Sequence, residues 1–593
     1  MRLRLRPRAL RALWIGALAS IMLACFAPSV PAQRQVQRAQ RGMVVSRHEA
    51  ASRVGADILR SGGNAVDAAV AVSMALAVVL PQAGNIGGGG FLLFHRASDD
   101  LFTFIDYRET APAAAHRDLY VDAAGNVDTM AARRGHRSVG VPGTVAGLHL
   151  AWTRYGSLPW ETLLEPAIRL AERNFRPNDE LKRALAAERD KLERYPEGAS
   201  LMLSRGKARR RFKQPELAQT LRTLASEGPD AFYRGTIAAA IEREMRRGGG
   251  LITRDDLASY RAIERTPLRG RYRDLEIVCA PPPSSGGVTL LQILGLLEGF
   301  ELQAIERPGQ TQHVALEATA RAFADRNTFL GDPDFVQMPL RGLLSPRYLD
   351  TRRRTISLDR STPSHFLAAG DAWAFDSEPP ASRARPRADS TRVPQLQRES
   401  PETTHVSIVD VEGNAVALTT TLNSGFGSGV MVQGAGFFLN NEMDDFDAQP
   451  GQPNQFGLVG GEINAIEPGK RMLSSMAPTI VLRDGEPWLV LGARGGPRII
   501  TAILQIILNV YERRMNLQEA VAAGRLHHQW LPDVVWHEEG ALTGEVRAYL
   551  ERTGHRLRNL PRTKSSAQCI AIEPDGTLFG VADPRTQGAA VGY

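Results

Sequence analysis

Apolar and polar residues alternate most regularly between residues 403 and 423, where two β-rich runs, TTHVSIVDV (403–411) and AVALTTTLN (415–423), flank Glu412-Gly413-Asn414. The alternation predicts a hairpin with a three-residue loop. Val406, Ile408, Val416, Leu418 and Leu422 hold even positions, which share one face of a pleated pair and are expected to enter the core together. Thr403, His405, Ser407, Thr419, Thr421 and Asn423 then share the other face. Such a loop pairs 411 with 415 and 403 with 423, which leaves Thr421 diagonal to Thr403.

Upstream, Ser46-Arg47-His48-Glu49 has capping-box spacing ahead of an amphipathic stretch that stops at Gly62-Gly63. Asn64 is placed to cap a second helix, rich in Ala and Val, that runs to Leu80 and is buried on most sides. Residues 91–104 read as two strands around a polar turn at 97–100, helices fill about 145–265, and a strand ends at Cys279 before the 281–287 loop. Apolar periodicity vanishes over 357–402, where Ser, Pro, Arg and Asp dominate. That stretch reads as a flexible linker, and it ends at Glu402, directly before the hairpin.

With 593 residues, 43% hydrophobic and 23% charged, the chain is ordinary globular material, and composition alone names no function. The net charge of +8 raises the question of an acidic partner. Five arginines lie in residues 1–32 without an acid, however, and their removal lowers the charge by five to +3, so a nucleic-acid partner is not indicated. Those residues have the parts of an export signal: Arg2, Arg4, Arg6, Arg8 and Arg11, an apolar run over 13–26, and Val30-Pro31-Ala32 before Gln33. Cleavage is expected after Ala32, with export to a bacterial periplasm. The apolar run is shorter than the ~20 residues of a spanning helix, so stable membrane insertion is not expected, and lipidation of Cys25 is the alternative. The two remaining cysteines, Cys279 and Cys569, read as buried small hydrophobes.

Hydroxyls clustered at the start of a strand have a plain explanation as an exposed sheet face. Their position directly after a linker supports a chemical one. If the Thr403 hydroxyl attacks the Glu402 carbonyl, an N-to-O acyl shift and ester hydrolysis leave Thr403 as a new N-terminus. Its α-amine, with an ordinary pKa of about 7.7–8.0, then serves as the base for its own hydroxyl.

Ten segments now carry a resemblance: PQAGNIGGGGF (81–91), DYRETAP (106–112), APPPSSGG (280–287), DRNTFLGDPDF (325–335), TTHVSIVD (403–410), NNEMDDF (440–446), RMLSSMAPT (471–479), GARGGPRI (492–499), RLHHQWLPD (525–533) and ADPR (582–585). In this order they resemble the γ-glutamyltranspeptidases, of the N-terminal-nucleophile hydrolase class. The resemblance implies an α+β fold, a four-layer αββα sandwich, built from a large fragment (33–402) and a small one (403–593) of one precursor. It implies Thr403 as nucleophile, Thr421 orienting it, and the N–H groups of Gly495 and Gly496 holding the oxyanion. It places Arg108, Ser474 and Ser475 on the donor's α-carboxylate and Asn423, Glu442 and Asp445 on its α-ammonium, a charge division that the substrate's own chemistry requires. The expected substrates are glutathione and other γ-glutamyl amides, with water, amino acids or dipeptides as acceptors. The reaction as written needs no metal and no cofactor. Gly87–Gly90 reads as tight packing rather than a phosphate loop. The segment 446–466 resembles a lid over the donor pocket, in which Phe456 replaces a tyrosine and so loses a hydroxyl that could reach Asn423.

Two rivals remain. A relative with the same fold could act on another acyl amide, such as a glutaryl side chain on a β-lactam, although glutaryl lacks the ammonium that the acids would meet. An uncleaved exported binding protein could keep the fold without catalysis.

Overall fold

The 403–423 alternation folds as a hairpin of Pro401–Val409 and Ala415–Ser424 at the middle of a seven-stranded sheet. The computed structural model describes residues 36–377, 401–449 and 451–593. The export signal and residues 378–400 of the expected linker lie outside these. In spatial order the sheet runs Ala589–Gly592, Met43–Ser46, Pro401–Val409, Ala415–Ser424, Gly89–Arg96, Leu101–Tyr107 and Ile263–Arg265. A second seven-stranded sheet runs Val36–Ala39, Leu578–Ala582, Ser566–Ile572, Glu486–Arg494, Thr479–Arg483, Leu275–Cys279 and Leu268–Tyr272. Every neighbouring pair in both sheets is antiparallel. Both sheets therefore interleave strands from before and after residue 402, so a cut there would leave the two fragments locked by shared ladders and core.

Even-numbered hairpin residues Val406, Ile408, Val416 and Leu418 pack with the Ala65–Val79, Thr144–Tyr155 and Trp160–Glu172 helices. Leu422, expected with them, joins a smaller cluster with Leu181, Leu192 and Phe426. On the odd-numbered face, Val409, Ala415 and Ala417 meet the second sheet at Val490, Leu491 and Cys569. The Gly286–Leu297 and Arg498–Tyr511 helices share that cluster, giving the four layers α, β, β, α. Each layer buries its apolar face against the next, which is why an ordinary core suffices.

The polar side of the hairpin is buried between the sheets rather than exposed. His405 bonds Thr419 Oγ1 at 2.8 Å and Ser407 Oγ at 3.1 Å, and Ser407 donates to the carbonyls of Val490 and Gln568 across the sheets. Burial lowers the His405 imidazole to about 3, so it is neutral at ordinary pH.

Three expectations need correction. The hairpin pairs Val409 with Ala415 and Thr403 with Thr421, so Thr421 is directly opposite Thr403 rather than diagonal. The loop is longer than three residues because Asp410 turns its carboxylate inward, accepting the N–H groups of Glu412 and Asn414. The slip is two residues, which preserves every face assignment. At the first helix, Glu49–Arg60, the capping residue is His48, whose Nδ1 accepts Ala50 N, while Ser46 Oγ bonds the His48 carbonyl and Ser52. Finally, residues 357–377 are not a free linker: although many of them are exposed, the segment is tied to the fold at the buried Ser364, Leu367 and Ala372. Ser364 Oγ donates to the Trp530 carbonyl at 2.6 Å, and Trp530 Nε1 to the Leu367 carbonyl at 2.9 Å. The partners lie about 160 residues away, beyond the reach of a local composition argument.

Candidate active site

Thr403 and Thr421 form part of the wall of one cavity. Their hydroxyl oxygens are 3.3 Å apart, with either able to donate to the other, and Thr421 Oγ1 also accepts Asn423 N at 2.8 Å. Asn423 stands at φ +73°, a left-handed conformation that asparagine tolerates better than most residues. This kink lies where the ladder slips between Pro401 and Thr403, and it turns the strand end towards the cavity. The close approach of Gly87–Gly90 supports the same strand. A Cβ on Gly88 would lie 2.0 Å from the Thr421 carbonyl, and one on Gly90 2.3 Å from that of Thr419.

Of the ten residues singled out from the sequence, nine line this cavity: Thr403, Thr421, Gly496, Arg108, Asn423, Glu442, Asp445, Ser474 and Ser475. Gly495 is one residue behind the wall, at φ +138°, and Gly496 is at φ +59°. Both lie between the Glu486–Arg494 strand and the Arg498–Tyr511 helix, so their N–H groups sit by a helix N-terminus, where the dipole favours negative charge. The Phe456 ring covers Gly496, where a Cβ would come within 2.9 Å of it, and Gln529 holds the Phe456 carbonyl at 2.9 Å.

At the far end, Arg108 is 1% exposed, and three of its five N–H donors are engaged. It donates to Glu442 Oε1, to Asp445 Oδ2 at 2.5 Å and to the Met472 carbonyl at 3.1 Å. A single 3₁₀ turn, Glu442–Asp445, brings both acids to it. The arginine and the acids, which the resemblance assigns to opposite charges of the donor, are thus in direct contact with one another. Glu109 Oε2 lies 3.6 Å from the same guanidinium, whereas Asp106 takes only the Arg108 backbone N–H. Burial works to lower the guanidinium, but Glu442, Asp445 and Glu109 outweigh it and raise its pKa. Burial likewise pushes the Glu109 carboxyl up to about 7, and burial with the neighbouring Glu109 holds Glu442 well above the carboxylate range.

A second cavity cation, Arg326, escaped the reading of single residues although it lies within DRNTFLGDPDF. It is 5% exposed and donates to Ser285 Oγ at 2.8 Å, Asn327 Oδ1 at 2.8 Å and Ser475 Oγ at 3.1 Å. Burial lowers it to about 10, opposed by Asp447 and Asp445, and burial raises Asp447 to about 7. The available signal was Asp325-Arg326-Asn327, three buried polar residues in succession near the end of an alanine-rich helix.

A strand-borne threonine between two facing antiparallel sheets, beside a glycine-lined helix start and a charged recognition end, defines an N-terminal-nucleophile hydrolase architecture. Comparison with known proteins narrows this. A family model described as gamma-glutamyltranspeptidase matches residues 51–593, and the chain belongs to that family. It is 42% identical over 597 residues to a glutathione hydrolase proenzyme of Escherichia coli (strain K12), covering 98% of each. Among solved structures it is similar to a cephalosporin acylase from Bacillus halodurans, with a TM-score of 0.82 and 26% identity over 96% of this chain and 98% of that one. It is also similar to the Helicobacter pylori gamma-glutamyltranspeptidase, with a TM-score of 0.53 and 39% identity over 55% of this chain and 94% of that one.

Proposed function

We propose that this chain is the precursor of a γ-glutamyltransferase and glutathione hydrolase that cuts itself between Glu402 and Thr403. The observation that carries the reading is the single cavity shared by Thr403 and by the charged set of Arg108, Glu442 and Asp445. In the mature enzyme the Thr403 α-amine takes the hydroxyl proton, and the oxygen attacks the γ-carbonyl of the donor. Thr421 steadies that oxygen, and the Gly495 and Gly496 N–H groups stabilise the tetrahedral oxyanion. Arg108, Ser474 and Ser475 take the donor's α-carboxylate, while Asn423, Glu442 and Asp445 take its α-ammonium. The acyl-enzyme is resolved by water or by the amine of an amino acid or dipeptide. The relative named as a glutathione hydrolase proenzyme supports both the substrate and the precursor form. Residues 1–32 direct export to a periplasm, and among the described residues no helix is long and apolar enough to cross a membrane.

The likeness to a cephalosporin acylase favours a second reading, hydrolysis of a glutaryl-type amide. The paired acids weigh against it, since glutaryl offers no cation to meet them. Two bands on a denaturing gel, the smaller beginning at Thr403, together with turnover of γ-glutamyl but not glutaryl anilide, support the first reading. The reverse preference would establish the acylase.

A further inference from the structure

The peptide bond ahead of Thr403 is gripped by side chains that the turnover reaction does not use. Arg47, 1% exposed, lies in the turn between the Met43–Ser46 strand and the Glu49–Arg60 helix. Its Nη2 pairs with Glu402 Oε2 at 2.7 Å, its Nη1 donates to the Thr403 carbonyl at 3.1 Å, and its Nε donates to Glu180 Oε1 at 2.6 Å. Arg494, 4% exposed and adjacent to Gly495, approaches the other Glu402 oxygen at 3.5 Å. Glu402 itself is 5% exposed.

The sheet does not hold this peptide unaided. Pro401 has no N–H to give the ladder, and the register slips between Pro401 and Thr403, where the single residue Glu402 is opposed by Leu422 and Asn423. Intramolecular attack depends on near-attack geometry, with the hydroxyl about 3 Å from the carbonyl carbon, and an unfixed peptide loses most of that advantage. Arg47 fastens both residues of the bond at once, and Arg494 fastens the Glu402 side chain from the strand that leads into the oxyanion glycines.

We propose that Arg47 and Arg494 form a carboxylate clamp that presents the Glu402–Thr403 peptide for self-cleavage, so that an acid at 402 is part of this protein's cleavage signal. The inference rests on the reading that Thr403 cuts the bond before itself. In that step the Thr403 Oγ–Glu402 carbon bond forms, the carbon–nitrogen bond breaks, and the hydroxyl proton passes to the nitrogen. Water then adds to the ester, leaving Glu402 with a terminal carboxylate and Thr403 with its hydroxyl and a free amine. The clamp acts on the first step, and its members are positioning residues.

The test follows the full chain and its E402Q, E402D and R47K variants from precursor to fragments on a denaturing gel, with terminal sequencing and thermal midpoints of the precursors. E402Q is nearly isosteric and is expected to melt with the parent yet cleave at least tenfold more slowly. E402D keeps the charge and falls between the two. R47K keeps the charge but not the fork that reaches Glu402 and the Thr403 carbonyl together, and it also slows. Added hydroxylamine cleaves accumulated ester, so it leaves E402Q slow if the acyl shift is what has been impaired. A parental rate in E402Q, or its restoration by hydroxylamine, overturns the clamp alone. A parent chain that is not cut before Thr403 overturns the underlying reading and the clamp together.

Discussion

Thr403 and Thr421 are cross-strand partners whose hydroxyl oxygens lie 3.3 Å apart, and the second is itself held by the backbone N–H of Asn423 at 2.8 Å. In the proposed mechanism the attacking oxygen is thereby oriented by a neighbour on a sheet ladder rather than on a loop. Thr403→Ala is expected to give one uncut band and no turnover. Thr421→Val, which keeps the shape and removes the hydroxyl, is expected to slow both maturation and turnover by tenfold or more, within the range of a lost orienting hydrogen bond. Gel time courses and anilide assays on the same preparations check this; cutting by the Thr403→Ala chain would refute the mechanism.

Arg108 and Arg326 differ in what they already hold. Arg108 is bonded to two carboxylates, whereas the groups bonded to Arg326 are the neutral oxygens of Ser285, Asn327 and Ser475. Arg108→Ala should mature normally but raise the KM for a γ-glutamyl anilide by tenfold or more, since losing one partner of a buried pair costs about 3–5 kcal/mol locally. Arg326→Gln should raise KM through the misaimed Ser475 hydroxyl while leaving kcat within a fewfold. Unchanged KM values would remove both residues from donor binding.

The pH profile follows from groups that must be unprotonated. The Thr403 amine acts as a base only when neutral, and an N-terminal amine ordinarily titrates at about 7.7–8.0. Glu109 and Asp447, raised to about 7 by burial, give the recognition end more negative charge as they ionise. Turnover per enzyme is therefore expected to climb from pH 6 to pH 8. The linked effect on stability has the opposite sign: these carboxyls bind protons more tightly folded than unfolded, so their contribution declines as pH rises from about 4 to 7. A flat rate profile over pH 6–8 would contradict the amine base.

Gly492 packs against His405 so closely that a Cβ would lie 2.0 Å from the imidazole. Gly492→Ala is expected to destabilise the fold by about 1–3 kcal/mol through overpacking. A lowered midpoint in denaturant, on uncut Thr403→Ala background, checks it.

Much of the site was legible in the residues themselves. The nine cavity residues were reached through short motifs whose resemblance to a known family implied their roles, and the alternation at 403–423 independently placed Thr403, Thr421 and Asn423 on one face. His405, Ser407 and Thr419 carry the same alternation but serve a different end, bonding sheet to sheet. Polarity on a strand cannot by itself distinguish a residue that faces a cavity from one that satisfies a buried neighbour.

Facing was determined by the sequence because side chains on a strand repeat every two residues, so even the two-residue error in register left each residue on its own side. Register, and with it the direct opposition of Thr403 and Thr421, was decided by the inward turn of Asp410. The contacts of Arg47 with Glu402, Arg108 with Glu442 and Arg326 with Ser475 were decided only in three dimensions. Each joins positions more than 100 residues apart, and no local pattern encodes which distant partners the packing of two sheets will bring within 3 Å or so.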